Sequence, residues 1–437
     1  MRSAAPLRAP SARQLATRLG AVALSGLVLS ACCRRPPPPR VDPEPASSAL
    51  AGTAGSAPPE PAEASRCVRP ADDKVFTFGE SQGAVDDEVL IFGVEVGQAV
   101  ATAEGFAVGA LRPTSKGMAA VVLLLDAEAG HPSVVQMALA LGDTPPPRVA
   151  ARNDLVVAAL LEAGASGRHL RLGRLEKGAV AWGPTFDQGR DESLAFDVAI
   201  GETRAIAVWD DDETKPDRGV VRLSTFVAKS LSAPTVARTI TLPQTDAESP
   251  RVVPRPGGFW LVYVARRPEK TDENAREQAE APEHRWLEAI PLDENGAGQG
   301  LPRRLTPESG HVLTFSLAEG SDGTAVVVYR DDDLPSGGGG GVLARVLLRG
   351  DGASSAQVLA DSDLGAGVPA LLPGWLAIAD VSSATRLARI DQKGDLVSAL
   401  EREPVFGTGA PIAARGSSLL VVKPVGRAVR LFVTDCK

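Results

Sequence analysis

The run FAVGAL at residues 106–111 is answered by LVVAAL at 155–160, RAIAVW at 204–209, FWLVYV at 259–264, TAVVVY at 324–329, WLAIAD at 375–380 and SLLVVK at 418–423. Each is a short stretch of Val, Leu, Ile, Ala and aromatic residues. Such runs are too brief for a helix and too rich in β-branched side chains, so each reads as a buried strand. Gly105, Asp154, Gly258, Gly323 and Gly374 stand immediately before five of them, where a turn needs residues tolerant of unusual backbone angles. The runs recur at separations of 49, 49, 55, 65, 51 and 43 residues, which makes them one part of a repeated unit.

The companions of each run complete the unit. Before it comes a short strand-like segment, as AVATA at 99, RVAAR at 148, FDVAI at 196, RVVP at 251, VLTFSL at 312 and PIAAR at 411. After it comes a third segment, often alternating: MAAVVLLL at 118, HLRLGRL at 169, VVRLSTF at 220, RWLEAI at 285, VLARVLL at 342, TRLARI at 385 and AVRLFV at 428. A fourth is visible as VVQMALAL at 134, ARTITL at 237 and AQVLA at 356. Four short strands in a unit of about fifty residues form a β-propeller blade. The reading is therefore all-β, a seven-bladed β-propeller over residues 67–437, in preference to a pair of β-sandwiches.

The seventh unit ends at Lys437 without a fourth strand, so the N-terminal part of the domain is expected to supply it. VLIFGV at 89 is the preferred candidate and VFTF at 75 the alternative. Cys67 and Cys436 bracket the domain. If the termini meet in one blade, the two cysteines are expected to form a disulfide, as an oxidising compartment permits.

The first 31 residues read as an address. Residues 1–18 carry Arg2, Arg8, Arg13 and Arg18 and no acid, and 19–31 form an apolar run of 13, the length of a signal core and too short to span a bilayer. The run ends in Leu29-Ser30-Ala31-Cys32, which resembles the lipobox of bacterial lipoproteins. The resemblance implies cleavage before Cys32, acylation of Cys32 and anchoring in the cell envelope. Cys33 rather than aspartate follows, which under the family's sorting rule points to the outer membrane. Residues 32–66 are rich in Pro and Ala with few large apolar side chains, and read as a disordered, extended tether. The whole chain resembles bacterial lipoproteins that carry a divergent propeller.

Removing residues 1–31 takes the formal charge from −8 to −12. An acidic domain repels phosphate backbones, so nucleic acid is not expected as a partner. Chemistry is sparse along the chain. His131, His169, His284 and His311 show no short ligand spacing, and no nucleophile elbow or Walker loop occurs. The glycine run at 337–341 reads as a flexible linker. Tyr263 and Tyr329 fall within second strands, where packing accounts for them. The Asp-box S-x-D-x-G-x-x-W of sialidases is absent, since Ser321-Asp322-Gly323 stands alone as a turn.

Non-random composition is confined to the expected loops between second and third strands at 210–218, 266–284 and 330–341. Asp210-Asp211-Asp212 and Asp331-Asp332-Asp333 would place acidic triplets on one face of the disc, as solubilising loop tips or as ligands for a hard cation such as Ca2+. No other cofactor is expected. The functional expectation is a membrane-anchored, non-catalytic binding or scaffolding module for an unspecified protein or carbohydrate. The alternative is a glycan-cleaving hydrolase or lyase, which needs paired carboxylates or a tyrosine nucleophile around the central channel.

Overall fold

The computed structural model describes residues 66–68 and 74–78 and then, from 93 to 437, all except 115–116, 141–143, 165–166, 177, 188–194, 215–216, 268–283, 334–340, 351, 361–366, 380–384 and 407–410. Cys32, the leader and the tether before residue 66 lie outside the described residues, as do residues 89–92.

Seven antiparallel sheets account for the described strands. In blade 1 the strands, from inner to outer, are Glu95–Ala101, Gly105–Thr114, Gly117–Asp126 and Ser133–Ala140. Blade 2 holds Arg148–Arg152, Leu155–Gly164, Gly167–Glu176 and Ala179–Asp187. Blade 3 holds Phe196–Ile200, Arg204–Thr214, Asp217–Val227 and a two-residue outer strand, Arg238–Thr239. Blade 4 holds Asp246–Arg255, Gly258–Arg266, Trp286–Asp293 and Arg303–Arg304. Blade 5 runs Val312–Glu319, Ala325–Asp332 and Gly341–Arg349, with Gly352–Ala353 and Gln357–Ala360 sharing the outer edge. Blade 6 runs Val368–Leu372, Trp375–Ala379, Arg386–Arg389 and Glu401–Arg402. Blade 7 runs Ala413–Arg415, Ser418–Val425 and Ala428–Asp435, and its outer strand is Lys74–Thr77 from the other end of the chain.

The closing strand is thus VFTF rather than the preferred VLIFGV, with Lys74 opposite Leu431 and Thr77 opposite Ala428. The stronger apolar run is the poorer choice for a physical reason. An outer blade strand has one partner and one face toward water, and Val75 is 59% exposed. Further along the same edge Val68 N–H donates to Asp435 O and Lys437 N–H to Arg66 O, and Cys67 is disulfide-bonded to Cys436. The expected terminal clasp is present.

Among the described residues the buried apolar side chains gather into seven clusters, one at each junction between neighbouring blades, including the junction of blades 7 and 1. A closed ring has as many junctions as blades, and an open arc has one fewer. The inner strands lie side by side around the axis. Where they converge the side chains are small: Ala150, Ala199, Ala318, Ala370 and Ala413 take one equivalent position in blades 2, 3, 5, 6 and 7.

Candidate functional site

The mouth of the channel, on the side where inner strands begin and second strands end, carries charges that the sequence leaves scattered. Arg152 faces Leu155, Gly201 N–H donates to Arg204 O, and Arg255 faces Gly258, which aligns the inner hairpins of blades 2, 3 and 4. Arg148, Asp197 and Arg251 each stand four residues before those hairpin positions, so they share one level of the channel. Asp197 is buried, and its two oxygens accept N–H from Val198 at 3.0 Å and, across the blade junction, from Val252 at 3.0 Å.

Arg148 responds to the charges of both Arg251 and Asp197. Blades 2 and 4 are not neighbours, so the two charges act on each other past the blade between them. Burial, and then the like charge of Arg251, lower the Arg148 pKa to about 10, with Asp197 opposing the shift. At the opposite end, Arg152 of blade 2 reaches Glu319 of blade 5 at 4.0 Å. Residues three blades apart pair only through the axis, so this ion pair spans the lower end of the channel. Burial holds the Glu319 carboxyl above its usual range, partly offset by Arg152.

Asp210 sits at the upper rim, between blades 3 and 4. Its Oδ1 accepts N–H from Ala195 at 3.0 Å and its Oδ2 from Ser249 at 3.4 Å. Those bonds favour the charged form, but burial outweighs them, helped by the negative charges of Glu248 and Asp212, and the carboxyl is pushed up to about 7. The side chain opposite is set by an irregular backbone. The inner strand of blade 4 bulges between Glu248 and Arg251, and Ser249 takes a φ of +55°, a conformation rare for a residue with a Cβ. The bulge turns Glu248 toward Arg285, whose Nε lies 3.5 Å from Glu248 Oε1. Beside this pair the rings of His284 and His311 stack 5.2 Å apart, although the two residues are remote in sequence.

The acidic triplets are not loop tips. Asp210, Asp211 and Asp212 belong to the second strand of blade 3, whose hairpin narrows to residues 215–216 because Thr214 faces Asp217. Asp211 is fully buried with Oδ2 3.0 Å from Arg222 Nε. In blade 5, Asp331 Oδ1 accepts the His311 N–H at 2.7 Å and Asp332 pairs with Arg330 at 2.7 Å, both of the latter buried. Asp333 alone among the six is exposed. The triplets serve internal donors separately, and among the described residues no group of three or more His, Cys, Asp or Glu is arranged to hold a metal ion. Tyr263 is fully buried and donates its hydroxyl to Glu288 Oε2 at 2.8 Å, so it offers no nucleophile to the channel.

Neither a protein-family model nor a curated protein sequence matches the chain. Among solved structures it is similar to the α-L-arabinanase of Penicillium chrysogenum complexed with arabinobiose, at 12% identity over 66% of this chain and 92% of that one, with a TM-score of 0.40. It is similar also to the polysaccharide lyase Uly1, at 8% identity over 83% and 92% of the chains and a TM-score of 0.48. The Kuenenia stuttgartiensis hydrazine synthase aligns at 11% identity over 82% and 100%, again with a TM-score of 0.48. At these identities the likeness is one of fold, and the fold carries unlike chemistries.

The expectation of a non-catalytic binding or scaffolding module finds no support among these neighbours, which are enzymes. It rested on the want of a convergent titratable set along the chain. Folding assembles one at the channel mouth from Arg148, Asp197, Asp210, Glu248, Arg251 and Arg285.

Proposed function

We propose that this protein is a glycan-cleaving enzyme, a hydrolase or lyase, whose reaction takes place at the upper mouth of the propeller channel. The observation that carries the reading is the buried Asp210 carboxyl, held near 7 beside Glu248. A carboxyl pair cleaves a glycosidic bond when one member keeps a proton at neutral pH and the second accepts one. Asp210 donates its proton to the departing glycosidic oxygen. Glu248, oriented by Arg285, takes a proton from the attacking water in hydrolysis or from the sugar ring in elimination. The protein acts in the cell envelope, anchored through acylated Cys32, as the lipobox-like end of the apolar run supports.

The test is incubation of the full chain with a panel of polysaccharides, reading new reducing ends and, for elimination, the ultraviolet absorbance of an unsaturated product. Glu248→Gln and Asp210→Asn are each expected to lower turnover at least about a hundredfold, the usual worth of a positioned acid or base. No product from any polymer, or turnover indifferent to both changes, would overturn the reading. Mass spectrometry of the mature N-terminus checks the anchor, which predicts a diacylglyceryl-modified Cys32.

A further inference from the structure

Two arginines share one level of the channel, on blades 2 and 4, with one aspartate at that level on the blade between them. Arg148 comes from blade 2, Asp197 from blade 3 and Arg251 from blade 4. The Asp197 oxygens are already engaged by the backbone N–H groups of Val198 and Val252. Arg251 Nη1 donates to the Pro250 carbonyl at 3.1 Å. Among the described residues no hydrogen bond and no ion pair within 4.0 Å ties down the Arg148 guanidinium. A half-buried arginine that shares its level with a second arginine and has no carboxylate within 4.0 Å is an incomplete arrangement. The missing component is an anion with oxygens to match the planar forks.

The local charge sets its valence. Two positive groups and Asp197 leave one positive charge, which a monoanion balances. A phosphate monoester or a polyphosphate would add surplus negative charge beside Asp197, Asp210 and Glu248. The channel is spanned below by the Arg152–Glu319 pair, so a ligand enters from the mouth. Arg251 is also three residues from Glu248 along the same bulged strand, so an anion held there lies next to the acid–base pair.

We infer that Arg148 and Arg251 receive the monoanionic substituent of an acidic sugar, a ring carboxylate or a sulfate ester, making anionic glycans the substrate class. This rests on the glycan-cleaving reading, yet the site can be tested separately from the reaction. Binding to the full chain is measured by calorimetry with five kinds of probe: polygalacturonate oligomers, alginate oligomers, the same oligomers with carboxyl groups reduced to alcohols, a sulfated galactan oligomer and its desulfated form. A uronate or sulfated probe is expected to bind, its carboxyl-reduced or desulfated partner to bind at least about tenfold more weakly, and Arg148→Gln or Arg251→Gln to lose the same factor. A bidentate charged pair contributes on that order. Arg148→Lys, which keeps the charge but not the fork, should recover only part of the loss.

Preference for the uronate or for the sulfate probe identifies the substituent. On a cleaved polymer the glutamine variants should raise KM more than they lower kcat. If acidic probes bind through the arginines and no polymer is cleaved, the anion site stands and the catalytic reading fails. If neutral polymers are cleaved while Arg148→Gln and Arg251→Gln change neither KM nor binding, the anion site is overturned and the catalytic reading stands. Equal affinity for acidic and carboxyl-reduced or desulfated partners, or no binding by any acidic probe, also overturns it.

Discussion

Replacing Asp210 with asparagine should make the protein less stable in acid and more stable in alkali, and the size of the reversal follows from the site. In the unfolded chain the carboxyl titrates near its ordinary 3.8, while in the folded protein burial raises it to about 7. Below pH 3.8 both states hold the proton and the group does not disfavour folding. As the pH climbs, the unfolded chain ionises first, so the folded state loses stability progressively, and the loss is complete above about 7. A difference of about 3 pH units corresponds to about 4 kcal/mol. Asparagine does not titrate, but its amide can accept only one of the two N–H bonds from Ala195 and Ser249. That loss costs about 1–2 kcal/mol at every pH. The variant should therefore be the weaker protein at pH 4, match the wild type near pH 5 (~1–2 kcal/mol of the linkage spent) and exceed it by about 2–3 kcal/mol at pH 8. Urea denaturation followed by tryptophan fluorescence, run at intervals from pH 4 to pH 9 under oxidising conditions, measures this directly. A stability difference between the two proteins that stays constant with pH would refute the argument, because it would mean that Asp210 is ionised throughout.

Two further expectations concern the frame around the site. The disulfide closes a loop of 369 residues, for which the chain-entropy relation gives about 6 kcal/mol as an upper value, so Cys67→Ser with Cys436→Ser should lose about 3–5 kcal/mol. An unchanged denaturation midpoint in the double variant, or on adding reductant to the wild type, would count against a clasp at this position. Trp209 is fully buried, stacked 5.3 Å from Phe186, and its indole N–H has no hydrogen-bond partner among the described residues. Trp209→Ala should cost about 3–5 kcal/mol and Trp209→Phe much less, since phenylalanine keeps the stacking and removes an unsatisfied donor. Equal losses from the two changes would show that ring area is not what the site uses.

The architecture was legible in the chain because it is local and repeated. The seven apolar second strands, from Phe106–Leu111 to Ser418–Lys423, and their third-strand companions each lie within a strand to within a residue at either end. The misreadings came where burial and chain order part company. VLIFGV looked the better closing strand by hydrophobicity, but an outer strand selects for a half-exposed edge, which Lys74 to Thr77 provide. Runs of aspartate ordinarily mark loop tips. Here Asp210 and Asp211 are carried into a strand because backbone N–H groups and Arg222 meet them. The candidate site was hardest to see, since Arg148, Asp197 and Arg251 are about fifty residues apart and come to one level only once the blades assemble. A usable signal existed: each is a charge on an inner strand, four residues before its hairpin position. The stacking of His284 on His311 had no such signal, because the two lie on the connections rather than within the repeated strands.

The clasp also has a mechanical meaning. Arg66 is bound to blade 6, through its backbone N–H to Glu403 and its guanidinium to Ser398, Ala399 and Glu401, and Cys67 is bound covalently to the last strand. Cys67 and the strand Lys74–Thr77 both pair antiparallel with that last strand, along its outer edge. Tension applied to the chain ahead of Arg66 therefore pulls lengthwise on strands and loads their hydrogen bonds together, instead of peeling them one at a time. Directly behind the Arg66 contacts the load passes to a covalent bond. A disc hung by this end behaves like a belt fastened at its buckle, with the ring kept shut by the same connection that transmits the pull.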